Sequence, residues 1–312
     1  MTAVSPALKT SSLAIPTAFA CVYFFWGSTY VAIKIGSEHL PALVLAGVRF
    51  LIAGTLMLGY CRARGLRVFW GRRQMAWLAL FGILMLGGGN VGLVWSERFL
   101  PSGLASLLIA VVPLYVALIE FFLPSGEPLP WRGWLGLLIG SLGLAALLWP
   151  SIHKGLTGEM QRVLAAAAVL GGALCWTIAS ILSRHIRLPV NAFVAAGWEM
   201  LFAGIFNTTL ATLFGDWGAV HWTRPAVGSI AYLVTFGSLV GFTAYIWLLE
   251  RVPVAKVATY AYVNPVVAVI LGALFLGERM ERTEYIGMIA VVLAVFLVTS
   301  SQLGGAATPA QQ

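Results

Sequence analysis

The sequence predicts an all-α integral membrane protein of about ten transmembrane helices, arranged as two inverted five-helix repeats. Three observations predict it. Sixty per cent of the 312 residues are apolar and only 10% are charged, against about 25% charge in a soluble domain. The apolar residues fall in ten runs near the length that crosses a bilayer, and landmarks of the first half return in the second about 150 residues later. A soluble chain this poor in charge would expose large apolar patches. Lipid removes that problem, because apolar side chains then face outward as well as inward.

A helix needs about 20 mainly apolar residues to cross roughly 30 Å of hydrocarbon. The expected spans are 13–35, 41–60, 74–95, 101–123 and 131–149, then 163–182, 191–214, 225–249, 254–276 and 284–301. The runs are continuous and lack the alternation of barrel strands. They form two units, 13–149 and 163–301, followed by a small, polar tail at 302–312 that reads as disordered. The run after the first twelve residues is too long for a cleaved signal peptide and lacks a small-residue cleavage site, so it is expected to stay. Every connection is short. The longest, 61–73 and 150–162, cannot house a soluble domain, so binding has to occur between helices.

The net charge of +8 does not point to nucleic acid, because the basic residues sit in short gaps and form no continuous stripe. Arg62, Arg64, Arg67, Arg72 and Arg73 follow the second span. Placing that gap in the cytoplasm also puts Lys9, Arg132, Arg184, Arg187, Arg251 and both chain ends there. Arg279 and Arg282 fall outside, alternating with Glu278, Glu281 and Glu284. Cys21, Cys61 and Cys175 lie in or beside apolar runs without disulfide or zinc spacing. His39, His153, His185 and His221 lie in or beside loops, with no ligand spacing among them, so no metal or cofactor is expected.

The repeat is an ordered series. Trp26 matches Trp176, and Ala46-Gly47-Val48-Arg49-Phe50 with Ala53-Gly54 matches Ala196-Gly197-Trp198-Glu199-Met200 with Ala203-Gly204. Val112-Pro113-Leu114 matches Asn264-Pro265-Val266, Gly126-Glu127 matches Gly277-Glu278, and Trp134-Leu135-Gly136 matches Tyr285-Ile286-Gly287. Five is odd, so the copies enter the membrane from opposite sides. Two such halves can exchange conformations and open one shared cavity to either side.

These paired landmarks resemble the EamA-type branch of the drug/metabolite transporter superfamily. Trp26-Gly27-Ser28-Thr29-Tyr30, then Gly47-Val48-Arg49-Phe50 with Ala53-Gly54, is similar to its first two helices. The resemblance implies a ten-helix carrier with a central cavity, often an exporter of amino acids, other metabolites or toxic compounds, in a plasma membrane such as the bacterial inner membrane. The second copy departs from the pattern, with Glu199-Met200 in place of Arg49-Phe50.

Buried charges cost roughly 2.5–3.5 kcal/mol each on insertion scales, which singles out Arg49 and Glu199. Each lies ~12 Å into its helix at 1.5 Å per residue, so a salt bridge between them is geometrically possible. The functional reading makes Arg49 an anchor for a substrate carboxylate and Glu199 a proton-coupling group. Lys256 is expected at the membrane surface, as an anchor or a gate, and Lys34 is expected to snorkel outward. Trp26, Thr29, Asn90, Tyr115, Trp176, Thr177, Tyr260 and Asn264 are the candidates for the cavity wall, with Ser180 and Tyr262 beside them. Asn264 is also placed to supply an amide next to Pro265, since Pro113 and Pro265 each free a carbonyl that must find a partner.

The run Gly87-Gly88-Gly89-Asn90-Val91-Gly92 and its counterpart at Gly237-Ser238 and Gly241 read as close packing, a bending zone, or both. Gly136, Gly140 and Gly143 offer a packing face, with a homodimer contact as one use. Glu127 and Glu278 are expected to complement the positive end of the helix that follows each. No phosphate-binding Gly-rich Lys-Ser/Thr loop is present, so ATP is not the direct energy source. Small solutes and membrane lipids are the expected partners. A translocator of lipid or lipid-linked substrates shares the architecture, whereas a membrane-embedded enzyme would need a His, Asp or Cys cluster that the sequence lacks.

Overall fold

A computed structural model of the chain describes residues 13–123, 131–156, 160–279 and 282–305. We label its main helices α1 (Ala14–Ser37), α2 (Ala42–Ala63), α3 (Arg72–Ser96), α4 (Ser102–Phe122), α5 (Trp131–Leu156), α6 (Met160–Ile186), α7 (Ala192–Leu213), α8 (Arg224–Leu249), α9 (Val254–Val257), α10 (Tyr260–Leu271) and α11 (Arg282–Gly305). Among the described residues, α1–α4 and α6–α8 are the seven helices long and apolar enough to cross a membrane. Large apolar side chains such as Leu56, Phe122, Leu142, Leu274, Ile289 and Phe296 point outward. That surface suits lipid and not water. The chain is a multi-pass helical membrane protein.

The helix ends follow local chemistry. α2, α4 and α9 each begin after a proline in extended conformation, Pro41, Pro101 and Pro253. Asn191 caps α7 by accepting from Phe193 N at 3.0 Å, and Thr223 caps α8 by accepting from Ala226 N at 3.3 Å. α2 and α7 both stop at a left-handed glycine, Gly65 (φ 74°) and Gly215 (φ 75°), where a side chain would be strained.

The spans are less uniform than expected. α4 is interrupted at Ala110–Val111, just before Pro113. The run expected as one helix from 254 breaks at Ala258–Thr259, leaving the one-turn α9 and then α10, which carries Pro265 and continues as a wider π-helical turn over Gly272–Leu276. The glycine zones widen in the same way, into π-helical turns over Ile83–Gly89 in α3 and Leu233–Phe242 in α8. Such turns recur where a helix bends or serves a site. At the C-terminal end, residues 302–305 continue α11 instead of belonging to a disordered tail; the rest of that segment lies outside the described residues.

Close approach through small residues holds the helices together. A Cβ added to Gly47 would lie 2.6 Å from Thr208, and one on Gly54 would lie 2.6 Å from the Leu201 backbone. The reciprocal contacts put Gly197 against Leu58 and Gly204 against Leu51. Partner numbers fall as glycine numbers rise, so α2 and α7 cross antiparallel. α5 and α11 pair in the same sense, Gly140 against Ala294 and Gly143 against Ala290. The face offered at Gly140 and Gly143 is therefore covered by the chain's own α11, in keeping with its reading as a packing face. α3 and α6 meet at Gly89–Gly172 and Gly92–Ala168, and α1 and α8 meet at Trp26–Gly241 and Thr29–Gly237.

Replacing Gly54 by leucine should destabilise the detergent-solubilised protein by about 1–3 kcal/mol, the usual penalty of overpacking, and lower its melting temperature. Gly59→Ala, with nothing within 4 Å of the added carbon, should leave the melting temperature unchanged. Thermal unfolding of the two variants side by side checks both outcomes.

Candidate functional site

A central cavity of about 70 Å³ lies between α1, α2, α3, α4, α6, α8 and α10. Trp26, Thr29, Asn90, Trp176, Tyr260, Asn264 and Arg49, all singled out from sequence, line it. Most of its wall is fully enclosed. Space of that size holds a few water molecules.

Its floor is an aromatic cluster. The Trp26 ring lies 5.5 Å from Trp176, 4.9 Å from Tyr245 and 5.2 Å from Tyr260, and Trp176 lies 5.3 Å from Tyr245. Hydrogen bonds fix the rings. Trp26 Nε1 donates to Gly237 O at 3.1 Å, Trp176 Nε1 donates to the Tyr245 hydroxyl at 2.9 Å, and Ser180 Oγ shares that hydroxyl at 2.7 Å. The hydrogen-bond network places the Asn264 amide nitrogen 2.9 Å from Tyr23 O and 3.3 Å from Tyr260 O, so it ties α1 to the start of α10. Asn90 Oδ1 is buried and has no partner.

Arg49 is 5% exposed and faces this cavity. Its Nε donates to Ser238 Oγ at 2.8 Å, its guanidinium stands 4.8 Å from the Phe50 ring centroid, and its Nη1 bonds to nothing. No ion pair joins it to Glu199 among the described residues, which settles against the salt bridge that depth alone allowed. The two helices cross through their glycines, and the charges open onto different spaces. Glu199, 1% exposed, lines a second cavity of about 450 Å³. This vestibule is formed by the beginnings of α3 and α7 and the ends of α6 and α8.

Several expectations change. Thr177 is buried with its hydroxyl bonded to Ala173 O at 2.8 Å, and Tyr115 packs half-buried against the core; neither lines the cavity. Lys256 is exposed, away from both cavities. Lys34 does not snorkel: its ammonium turns inward and donates to Glu97 O, with Leu100 O at 3.4 Å. Carbonyls left open at the end of α3 attract it more than the surface does. Glu278 reaches a distant helix, accepting from Ser102 N at 2.9 Å and Ser102 Oγ at 2.7 Å, and so caps α4 and not the helix that follows it. Glu127 lies outside the described residues, as does the Tyr262 side chain. The sequence reading missed Ser238, Tyr245 and Phe242. Of these Tyr245 and Ser238, the latter noted only as part of a glycine zone, carried a signal, a hydroxyl in an apolar run that needs a partner.

The contact made by Lys34 has a counterpart. Arg184, 150 residues later, donates to Leu249 O at 3.0 Å and Glu250 O at 2.9 Å at the end of α8. Glu97 and Glu250 thus occupy matching places, each followed by an arginine, but in different states. Glu97 is fully buried and neither carboxyl oxygen has a partner. The Glu250 side chain is 37% exposed and pairs with Arg251 at 2.6 Å. Burial pushes the Glu97 carboxyl well above the usual range; Glu278 adds to the rise and Lys34 opposes it. Burial raises Glu250 too, against the pull of Arg251.

Helices long enough to span lipid, packed around an aromatic-lined cavity with a buried arginine, define a membrane protein with an internal site. The chain belongs to the EamA-like transporter family, whose profile matches residues 14–149 and again 163–300. It is 35% identical over 283 residues to a protein of Escherichia coli (strain K12) named as an uncharacterized inner membrane transporter, YedA, covering 90% of this chain and 89% of that one. The uncharacterized transporter YoaV of Bacillus subtilis (strain 168) is 23% identical over 281 residues, covering 89% and 94%. One crystal structure of a protein superposes with a TM-score of 0.68 at 21% identity over 93% of this chain and 98% of that one, which shows a shared fold.

Glu97 makes stability depend on pH. Lys34, Tyr30 and Glu278 are the charged or titratable groups around it. A carboxyl whose folded-state value is raised holds its proton longer when folded, so the cost of burying it is absent below its ordinary value near pH 4.3 and grows as pH rises toward the raised value. The melting temperature of the wild type should therefore fall more steeply with rising pH than that of Glu97→Gln. Melting curves from pH 4 to pH 9 check this; parallel slopes would refute it.

Proposed function

We propose that the protein is a secondary carrier that exports small organic solutes across a bacterial inner membrane by alternating access, through ten spans in two inverted five-helix halves. On this reading α5, α9 with α10, and α11 supply the three spans beyond the seven. The antiparallel contacts of α2 with α7 and of α5 with α11 favour inverted halves, because equivalent helices of inverted copies must run in opposite senses. The name of the Escherichia coli relative favours the inner membrane.

One observation carries the solute assignment: Arg49 lies buried in the cavity wall with Nη1 unbonded. An unpaired guanidinium donor out of water is costly. A carboxylate or similar anionic group on the solute completes it, while the aromatic floor receives an apolar portion. The matching mouths favour alternating access. The end of α3 is sealed over Glu97, whereas the end of α8 opens beside Glu250. Equivalent parts in opposite states are what a carrier caught facing one side presents.

In proteoliposomes, Arg49→Gln, Asn264→Ala and Trp176→Ala should each lower solute counterflow at least tenfold while reducing membrane expression far less. A thermal-shift screen of amino acids, nucleosides and amphiphiles supplies the solute, since a ligand of the folded state raises its apparent stability. Unchanged counterflow kinetics in all three variants would defeat the cavity assignment.

A further inference from the structure

The Glu199 vestibule has the properties of a binding site in its own right. Its walls are mixed: Leu78, Phe81, Leu188, Val190, Ile246 and Leu249 supply the apolar part, and Ser183, Arg184, Arg187, Asn191 and Glu250 the polar part. Its free space of about 450 Å³ lies in the range of cavities that receive drug-sized ligands. Glu199 is 1% exposed, and its Oε2 is buried without a hydrogen-bond partner. The position is held firmly: Gly82 of α3 packs directly on the Glu199 backbone, where a larger residue would not fit.

The other charges around the vestibule are already engaged or out in the solvent. Arg184 and Arg187 also line the vestibule; Arg184 Nη1 is held by the carbonyls of Leu249 and Glu250, Glu250 is paired with Arg251, and Arg187 is exposed, where salt screens it. The carboxylate that remains therefore dominates the enclosed part of the space. A buried carboxylate with an open acceptor asks for a cation that brings its own N–H donors. The apolar part of the walls asks for a hydrocarbon body on the same molecule.

We propose that this vestibule binds amphiphilic organic ammonium compounds, with Glu199 as the anchor for the ammonium and apolar side chains of α3, α8 and the link between α6 and α7 around the apolar portion. The proposal rests on the carrier reading for its purpose, a loading site reached before the central cavity, but not for its existence. Tyr245 links the surroundings of the two spaces: its hydroxyl is bonded to Trp176 of the cavity wall, and its chain neighbour Ile246 lines the vestibule. The site also gives the two halves different roles. Position 49 meets the solute with a cation and its repeat counterpart, position 199, with an anion.

The test uses the full-length protein in detergent and three probes of one skeleton, 2-phenylethylammonium, 2-phenylethanol and phenylacetate, with binding followed by calorimetry. The ammonium probe should bind saturably, and Glu199→Gln should weaken it at least tenfold while the alcohol stays weak in both proteins. Leu188→Cys, on a background with Cys21, Cys61 and Cys175 replaced by alanine, should be alkylated more slowly in the presence of the ammonium probe, which locates it in the vestibule. Glu199→Asp, which keeps the charge, should retain part of the affinity and guards against reading a folding defect as a lost contact. Equal binding of ammonium and alcohol, equal affinity in wild type and Glu199→Gln, or no protection of Leu188→Cys would overturn the site. Glu199-dependent binding without any solute exchange would instead remove the carrier reading and leave the site standing.

Discussion

The antiparallel crossing of α2 and α7 is the constraint on which the rest of the structure depends. Gly47, Gly54, Gly197 and Gly204 bring the two backbones so close that an added carbon on any of them would meet its neighbour within 3 Å. In lipid there is little hydrophobic drive for helices to associate, so close van der Waals approach has to supply it. The four contacts are reciprocal: the partners Leu51 and Leu58 of one helix stand in the same relation as Leu201 and Thr208 of the other. This shared register fixes where Arg49 and Glu199 point. It sends the guanidinium into the central cavity and the carboxylate into the vestibule, and it keeps them from neutralising one another.

Two buried charges kept apart in a membrane protein are expensive. Each is tolerated because it borders space that water or a ligand can enter, and each retains an unbonded atom, Arg49 Nη1 and Glu199 Oε2. Trp26, Trp176 and Tyr260 line the central cavity and pack with Tyr245 in one aromatic cluster, held by hydrogen bonds to Gly237 and Ser180. At the helix ends, cations from the last turns of α1 and α6 satisfy the open carbonyls of α3 and α8. Those two caps are built alike but differ in the burial of the glutamate beside them.

Much of this was legible in the sequence, for physical reasons. Apolar run length gives the seven spans found among the described residues, because the bilayer sets a minimum. The repeated Ala-Gly steps marked α2 and α7 as equivalent helices; that they cross through those glycines is visible only in the structure. Trp26, Thr29, Arg49, Asn90, Trp176, Tyr260 and Asn264 stood out as polar or amphipathic groups in apolar runs, and all seven line the cavity. What failed was direction. Helical spacing does not say which way Thr177 or Tyr115 faces, and burial depth does not say whether Arg49 and Glu199 meet. Lys34 and Glu278 were misread because their partners, Glu97 and Ser102, are distant in sequence. The interruption of α4 falls just before Pro113, whereas that of the α9–α10 run at Ala258–Thr259 lies more than a turn before Pro265, so only the first proline marked the place of the break.

The central claim is that the halves are inverted, so that α2 and α7 end on opposite faces of the membrane. Single cysteines at Arg64, beyond the end of α2, and at Gly218, beyond the end of α7, report this directly in a protein whose own cysteines have been replaced. Both positions are exposed, and Gly218 has nothing within 4 Å that a side chain would meet. A membrane-impermeant maleimide added to intact cells should label the Gly218→Cys protein and reach the Arg64→Cys protein only after the membrane is opened. Labelling of both from the same side would contradict the account.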